Sequence, residues 1–282
     1  MRTAYFIHPR IAPKVRALAL TGLLALAPAF GAARDGVEVG STSGFTRFAP
    51  AAKVEQSATV QYQQLLQQAA AKNALADNNN PQLLRLRAIA QKIIPFSHEW
   101  NPRAKDWKWE VNLLGSKQVN AFCMPGGKIA FYSGILDQLK LTDDEVAMVM
   151  GHEIAHALRE HARERMGKAA VANGAGIVAQ VLGAGQLTQA VIGGGSNLLM
   201  LKYGREDESE SDLIGMELAA RAGFDPRAGV SLWKKMGAAS KGAPPQFLST
   251  HPSGPSRITD IEKNLPKVLP LYERAAANKV VQ

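Results

Sequence analysis

Cysteine is nearly absent from this chain. Cys123 is the single cysteine among 282 residues, so no disulfide bond can form within the chain, even in an oxidising compartment. It lies in an apolar segment, where a lone cysteine usually behaves as a small buried residue. No arrangement of partner residues that would activate a catalytic thiol is visible. We therefore expect Cys123 to be structural and any catalysis to depend on other residues.

The N-terminus lacks an apolar run long enough for a typical membrane-spanning helix, which needs about 20 residues. The run ALALTGLLALAPAF covers residues 17–30 and is interrupted by Pro28. Basic residues precede it and small residues follow it, as in an export signal. We predict that residues 1–33 are a signal peptide, cleaved near residues 31–33, and that the mature protein is periplasmic. An uncleaved membrane anchor is the alternative. No cysteine lies nearby for lipid attachment.

Charge is missing from one long internal segment, residues 169–201. A membrane hairpin is one interpretation, but the many glycines of the segment weaken it. We favour two buried or lid-forming helices in a soluble domain. The whole chain carries a net charge of +9 without a run of Lys or Arg and without a nucleic-acid-binding motif. This charge predicts a basic surface, compatible with peripheral membrane association, and no nucleic-acid partner.

Histidine is scarce, yet three of the six histidines fall within MGHEIAHALREH, residues 150–161. His152 and His156 are four residues apart and therefore lie on one helical face. Two imidazoles in this arrangement can hold one zinc ion, and Glu153 between them can reach a water molecule at the metal. This is the HExxH pattern of zinc peptidases. His161 would lie roughly 140° around a continuous helix from His156, so we expect it at the surface.

A zinc ion held by two histidines needs a third protein ligand. Glu208 is the candidate, because it begins an ExxxD pattern in which Asp212 follows one turn later on the same face. Glu208 would bind the metal, and Asp212 would accept a hydrogen bond from a ligand histidine. Arg205 of the same segment is assigned a supporting position beside them. The plainer interpretation is a solvated acidic helix, and Glu206 and Glu210 are expected not to be ligands.

The pattern of apolar and polar residues predicts three regions. After the signal peptide, residues 34–79 are predicted to form a flexible leader and a Gln/Ala-rich helix. Residues 80–282 are predicted to form the catalytic domain. Apolar residues alternate from Trp107 onwards, and a PGG turn joins two further strands as a hairpin. Thr142 and Glu145 form a predicted capping box that begins the helix carrying the histidines.

Three segments carry a resemblance to a known family. GHEIAHALREHA, YGREDESESD and NAFCMPGGKIAFYSGIL resemble the zinc metallopeptidases that include HtpX and the CAAX prenyl protease, especially their soluble, exported bacterial members. The resemblance covers roughly residues 80–265. It implies a mainly helical α+β fold, with a zincin-type active-site helix beside a small β-sheet that includes the hairpin. It also implies one Zn²⁺ ion and places the family's Glu and Asp at Glu208 and Asp212, with Ser211 in place of the usual Ala.

The resemblance assigns further residues outside the helices. The family's THPS loop matches residues 250–253, which implies that His251 faces the zinc ion. There it would either stabilise the oxyanion during turnover or occupy the fourth zinc position and keep the enzyme latent. A loop histidine bonded to a carbonyl is the plain alternative. The strand containing Asn120, Ala121 and Phe122 would pair with an extended substrate.

These features predict a zinc-dependent endopeptidase with Glu153 as its general base. By resemblance, its role is protein quality control in the bacterial envelope, with unfolded or misfolded polypeptides as substrates. A competing hypothesis is a peptidase-like chaperone or assembly factor whose zinc is structural or latent. The presence of Glu153 argues against it, because a structural site does not need that carboxylate. A membrane-inserted peptidase that uses residues 169–201 is a third hypothesis.

Overall fold

The structure is a computed structural model that describes residues 34–172, 198–239, 245–252 and 255–280. The predicted signal peptide lies outside the described residues. So do residues 173–197, which form most of the uncharged segment. Among the helices of the described residues, none is both long enough and apolar enough to cross a membrane.

The described chain is mainly helical with one small sheet, which confirms the predicted α+β class. The α-helices are α1 (Ala51–Ala71), α2 (Pro81–Ile93), α3 (Ser133–Leu139), α4 (Asp143–Leu158), α5 (His161–Ala172), α6 (Arg205–Arg221), α7 (Ala228–Ala239), α8 (Gln246–Thr250) and α9 (Pro255–Val280). The strands are β1 (Glu110–Leu114), β2 (Ala121–Met124) and β3 (Lys128–Tyr132). Short 3-10 helices cover Gly44–Phe48, Ile94–Glu99, Pro102–Lys105 and Leu198–Met200.

The sheet has the strand order β1-β3-β2. β1 runs parallel to β3, and β2 runs antiparallel to β3 as the predicted hairpin. The hairpin turns at Gly126 and Gly127, whose φ angles of 85° and 76° are ones that glycine adopts without strain. Since β3 lies in the middle, β2 forms one edge of the sheet, and this edge faces the active-site helix.

Helix α4 begins at the predicted capping box. The Thr142 hydroxyl accepts a hydrogen bond from the Glu145 N–H at 3.3 Å, and Glu145 Oε2 accepts one from the Thr142 N–H at 2.9 Å. Lys235 of α7 adds an ion pair to the same carboxylate at 2.6 Å. From Glu145 to Leu158 every residue of the helix is buried. The capping box therefore fixes the start of a helix that lies in the centre of the molecule.

Two glycines let α4 and α6 cross in direct backbone contact. A Cβ atom built on Gly151 would lie 2.5 Å from the carbonyl oxygen of Gly215, and one on Gly215 would lie 2.5 Å from the backbone nitrogen of His152. No real Cβ atom tolerates such distances, so both positions require glycine unless the helices move apart. The crossing brings His152 of α4 within hydrogen-bonding distance of Asp212 of α6.

Residues 35–49, which follow the predicted signal peptide, are packed against the rest of the described chain and differ from the expected flexible leader. Val37 is buried, and its N–H donates to Glu217 Oε2 at 2.8 Å. Arg159 donates to the carbonyl of Gly40 at 2.6 Å, and Arg163 donates to the carbonyl of Ala49 at the same distance. Arginine side chains far along the chain thus bind the backbone of residues 35–49. Contacts between residues so distant in the sequence cannot be predicted from a segment of small polar residues.

The core has two parts. The larger one packs α2, α4 and α6 against one face of the sheet, and its largest fully buried side chains include Leu86, Phe131 and Ile154. The smaller one lies between α1 and the other face of the sheet, around Tyr62. The Tyr62 hydroxyl donates to the Ile129 carbonyl at 2.6 Å, which ties α1 to the central strand. The sheet is therefore covered on both faces.

Candidate metal centre

Four buried side chains converge at the middle of α4, where a ligand atom from each lies within 4.8 Å of all the others: His152, His156, Glu208 and His251. The Nε2 atoms of His152 and His156 are 3.1 Å apart. The Glu208 oxygens lie 3.6 Å from His152 Nε2 and 3.5 Å from His156 Nε2. A tetrahedral zinc ion with bonds of 2.0–2.2 Å holds its ligand atoms about 3.4 Å apart. The donor atoms and their spacing fit a zinc ion.

Asp212 fixes the orientation of His152. The Nδ1 of His152 lies 2.9 Å from Asp212 Oδ1, so the ring donates its Nδ1–H to the carboxylate and leaves Nε2 free to bind a metal. Burial by itself would raise the pKa of Asp212, but the charge of Arg257 and the hydrogen bond from His152 outweigh it and lower that pKa. Asp212 therefore stays ionised and holds the supporting position that the ExxxD pattern suggested.

Arg257 is the charged residue of the centre that sequence reasoning missed. It is buried, and its guanidinium donates to Glu208 Oε2 at 2.6 Å and to both oxygens of Asp212 at 2.6 and 2.7 Å. The guanidinium also lies over the Trp233 ring, 3.6 Å from its centroid. Arg257 lies beyond the THPS loop, 45 residues from Asp212, and no local pattern marks that pairing. Its charge compensates the two buried carboxylates.

Arg205, which we assigned to the supporting position, is not there. It is the first residue of α6 and is exposed. Arg205 lies about one helical turn before Glu208. Because this position is at the start of α6, it is exposed to solvent. The buried cation beside Glu208 and Asp212 is Arg257 instead.

Glu153 lies next to the ligand cluster without being part of it. Its side chain is buried, and its Oε1 has no hydrogen-bond partner among the described residues. His251 Nε2 lies 3.5 Å from that oxygen. Burial raises the pKa of Glu153 above its ordinary value. A buried carboxylate with an unused oxygen in a cleft is suited to taking a proton from a water molecule.

His251 lies with the ligand cluster. It follows α8, and its Nδ1 lies 3.1 Å from Glu208 Oε1 and 3.4 Å from His152 Nε2. The imidazole stacks on the Phe247 ring with centroids 4.5 Å apart. The backbone N–H of His251 donates to the Phe247 carbonyl. The structure thus excludes the plain alternative of a loop histidine bonded only to a nearby carbonyl. Its Nδ1 has the position of a fourth ligand, and its Nε2 faces Glu153.

His161, expected at the surface, is buried. The expectation assumed one continuous helix, but α4 ends at Leu158 and α5 begins at His161. Glu160 between them has a φ of 59°, which breaks the helical path and turns His161 back towards the site. Its Nδ1 lies 2.9 Å from Nδ1 of His156. The His161 Nε2 lies 2.8 Å from Glu210 Oε2.

The predicted substrate strand borders the cleft that contains Glu153 and His251. Asn120, Ala121 and Phe122 all line this cleft, although the Phe122 side chain also packs between Tyr62 and Tyr132 in the smaller core. Ala162, Leu198, Leu199, Leu201 and Tyr203 also line this cleft. The structure therefore brings the strand, Glu153 and His251 of the donor set into one cleft.

The sequence profile of peptidase family M48 matches residues 81–265. The chain belongs to peptidase family M48. This match spans α2 to α9 and so includes every residue of the metal centre described above. Membership in a peptidase family, together with the His-His-Glu-His cluster, supports a metalloprotease.

Curated relatives support the same assignment. The mitochondrial metalloendopeptidase OMA1 of Schizosaccharomyces pombe is 36% identical over 192 residues, which cover 67% of this chain and 54% of that protein. The beta-barrel assembly-enhancing protease of Yersinia pestis is 30% identical over 171 residues, covering 56% and 35%. The metalloprotease LoiP of Escherichia coli is 27% identical over 205 residues, covering 72% and 78%. The chain thus spans about half the length of the fission-yeast relative.

Proposed function

We propose that this protein is a zinc-dependent endopeptidase of the bacterial envelope that cleaves unfolded or unassembled polypeptides. The observation that carries the proposal is the position of Glu153. Glu153 lines the cleft together with His251, which belongs to the donor set with His152, His156 and Glu208, and its Oε1 has no hydrogen-bond partner among the described residues. A site that held zinc only for stability would not need a buried carboxylate with one open oxygen beside its ligands.

The residues of the site divide the work of peptide hydrolysis. His152, His156 and Glu208 would hold the ion, which when bound supplies Lewis acidity towards water and the peptide carbonyl. Glu153 takes the proton of the attacking water on its free oxygen and delivers it to the leaving amine. Asp212 holds His152 in the tautomer that leaves Nε2 free. Arg257 pairs with both Glu208 and Asp212 and partly offsets their negative charge in a buried site.

The edge strand β2 supports an extended substrate. The carbonyls of Asn120 and Met124 accept hydrogen bonds from Tyr132 and Gly127 on the β3 side. Because peptide groups alternate along a strand, those of Ala121 and Cys123 face the cleft. The Cys123 N–H donates to Glu153, and an extended polypeptide can pair with the Ala121 groups and the Cys123 carbonyl as one more strand. Recognition through the main chain suits unfolded substrates of varied sequence.

The envelope location rests on the export signal of residues 1–33 and on relatives. A beta-barrel assembly-enhancing protease and the metalloprotease LoiP are bacterial, whereas OMA1 is mitochondrial. We propose a periplasmic enzyme of the exported, soluble branch, with peripheral membrane contact through its basic surface. The HtpX-type subfamily assignment is part of this proposal.

The test is cleavage of a permanently unfolded protein, such as reduced and alkylated lactalbumin, by the purified protein. We expect cleavage that a zinc chelator abolishes and stoichiometric zinc restores, while the folded form of the same substrate survives. Cleavage that persists in chelator would contradict the proposal. Suppression of substrate aggregation without any cleavage, by the wild type and by His251→Ala alike, would favour the chaperone hypothesis.

A further inference from the structure

We infer that His161 and Glu210 form a hydrogen-bonded pair that positions the metal-binding ring of His156. His161 is a positioning residue here, since it touches a ligand and not the metal. The inference deepens the proposed function and rests on zinc binding at His152, His156 and Glu208. It gives a role to two buried or half-buried polar side chains that the hydrolytic mechanism does not use.

The distances fix the direction of each hydrogen bond. The Nε2 of His156 faces the ligand cluster, so a neutral His156 that binds a metal there carries its proton on Nδ1. That Nδ1 lies 2.9 Å from His161 Nδ1, which must therefore be the acceptor. His161 then has its own proton on Nε2, which donates to Glu210 Oε2 at 2.8 Å. Each proton in the hydrogen-bonded series Glu210–His161–His156 is therefore assigned to one nitrogen atom.

Glu210, at the outer end of this hydrogen-bonded series, has a second partner that fixes its position. Arg159 donates to Glu210 Oε1 at 2.8 Å and to the Gly40 carbonyl at 2.6 Å. Glu210 thus holds His161 through one carboxylate oxygen and Arg159 through the other. An acceptor with a second fixed partner orients His161 more strictly than a solvated side chain would.

Two different contacts restrain the His156 ring, one on its face and one at its edge. Tyr203 stacks on it with ring centroids 4.0 Å apart and an angle of 27° between the planes. Stacking restricts the tilt of the ring but not its rotation within its own plane. The hydrogen bond to His161 supplies that missing restraint. His152 obtains the same restraint from Asp212, so each ligand histidine has its own partner.

The discriminating pair of variants is His161→Leu and His161→Asn. Leucine fills space without accepting a hydrogen bond, whereas the Asn Oδ1 lies near the place of the histidine Nδ1 and can accept from His156. We expect zinc affinity, measured by competition with a chromophoric chelator, to fall about 10–100-fold in His161→Leu. We expect His161→Asn to recover most of that loss. A matched control is Glu217→Gln, which removes a buried carboxylate of α6 away from the ligands and should leave zinc affinity unchanged.

Thermal unfolding of the zinc-free proteins, monitored by circular dichroism, separates positioning from general destabilisation. If His161→Leu does not fold, Glu210→Leu replaces it, since loss of the acceptor frees His161 to turn or to move its proton to Nδ1. Weaker zinc binding is expected there too. Wild-type zinc affinity in the folded leucine variant, or equal losses in His161→Leu and His161→Asn, would overturn the inference. A wild-type protein that binds no zinc would instead contradict the proposed function.

Discussion

The metal centre places one buried cation, Arg257, against two buried carboxylates, Glu208 and Asp212, beside the histidines of α4. His152, Glu153 and His156 follow from a local spacing, because four residues along a helix place two rings on one face. Arg257 could not be predicted in this way. Its partners Glu208 and Asp212 are 49 and 45 residues away, and only the tertiary structure aligns the guanidinium with them. A buried cation was to be expected beside two buried acids, but the sequence contains 33 candidates.

At the residue scale, the third ligand is open to a direct test. Glu208→Ala should reduce the zinc bound per chain well below one, because it removes the one carboxylate among the four donor side chains of the cluster. Glu206→Ala is the matched control, since Glu206 belongs to the same turn of α6 and is exposed. Metal analysis after dialysis gives the answer. Full zinc occupancy in Glu208→Ala would show that another residue is the third ligand.

Replacement of His251 distinguishes two opposite roles for this residue. The structure favours the blocking ligand, because His251 Nδ1 lies with the donor atoms of the cluster, 3.1 Å from Glu208 Oε1. We therefore expect His251→Ala to raise the basal rate of cleavage of an unfolded substrate, by opening the fourth position to water. A loss of about 100-fold would show transition-state stabilisation instead. Unchanged cleavage and unchanged zinc affinity would exclude both roles.

At the scale of elements, local signals predicted the parts that depend on local interactions. The capping box of α4 and the PGG hairpin were predicted and are present. The break between α4 and α5 was missed, because a non-glycine residue with positive φ, Glu160, has no strong sequence signal. The close crossing of α4 and α6 was also missed, since single glycines such as Gly151 and Gly215 inside helices usually only weaken them.

The edge strand supports a prediction about substrate binding. Ala121→Pro should lower kcat/KM for an unfolded substrate about tenfold, which corresponds to loss of one or two main-chain hydrogen bonds. The N–H that proline removes faces the cleft and not β3, so the sheet should remain intact. Zinc content and the circular dichroism spectrum, both unchanged, are the controls. A wild-type kcat/KM in a folded Ala121→Pro protein would rule out substrate pairing at this position.

At the scale of the whole molecule, the N-terminal region combines a predicted signal peptide with a packed segment. Asp35 forms an ion pair with Arg274 at 2.8 Å, and the Val37 N–H bonds to buried Glu217. We expect the native protein to begin near residues 32–34, so that cleavage removes the signal and keeps these contacts. N-terminal sequencing of protein isolated from cells checks this. An intact Met1 would show that the signal is not cleaved.

The central claim is that one zinc ion and the Glu153 carboxylate together hydrolyse peptide bonds. Its most direct test compares wild type and Glu153→Gln for zinc content and for cleavage of an unfolded protein in parallel. Glutamine keeps the shape of the side chain and leaves all metal ligands in place, but it cannot accept the proton from water. We expect one zinc ion per chain in both proteins and nearly complete loss of cleavage in Glu153→Gln. Cleavage by Glu153→Gln at the wild-type rate would contradict the account.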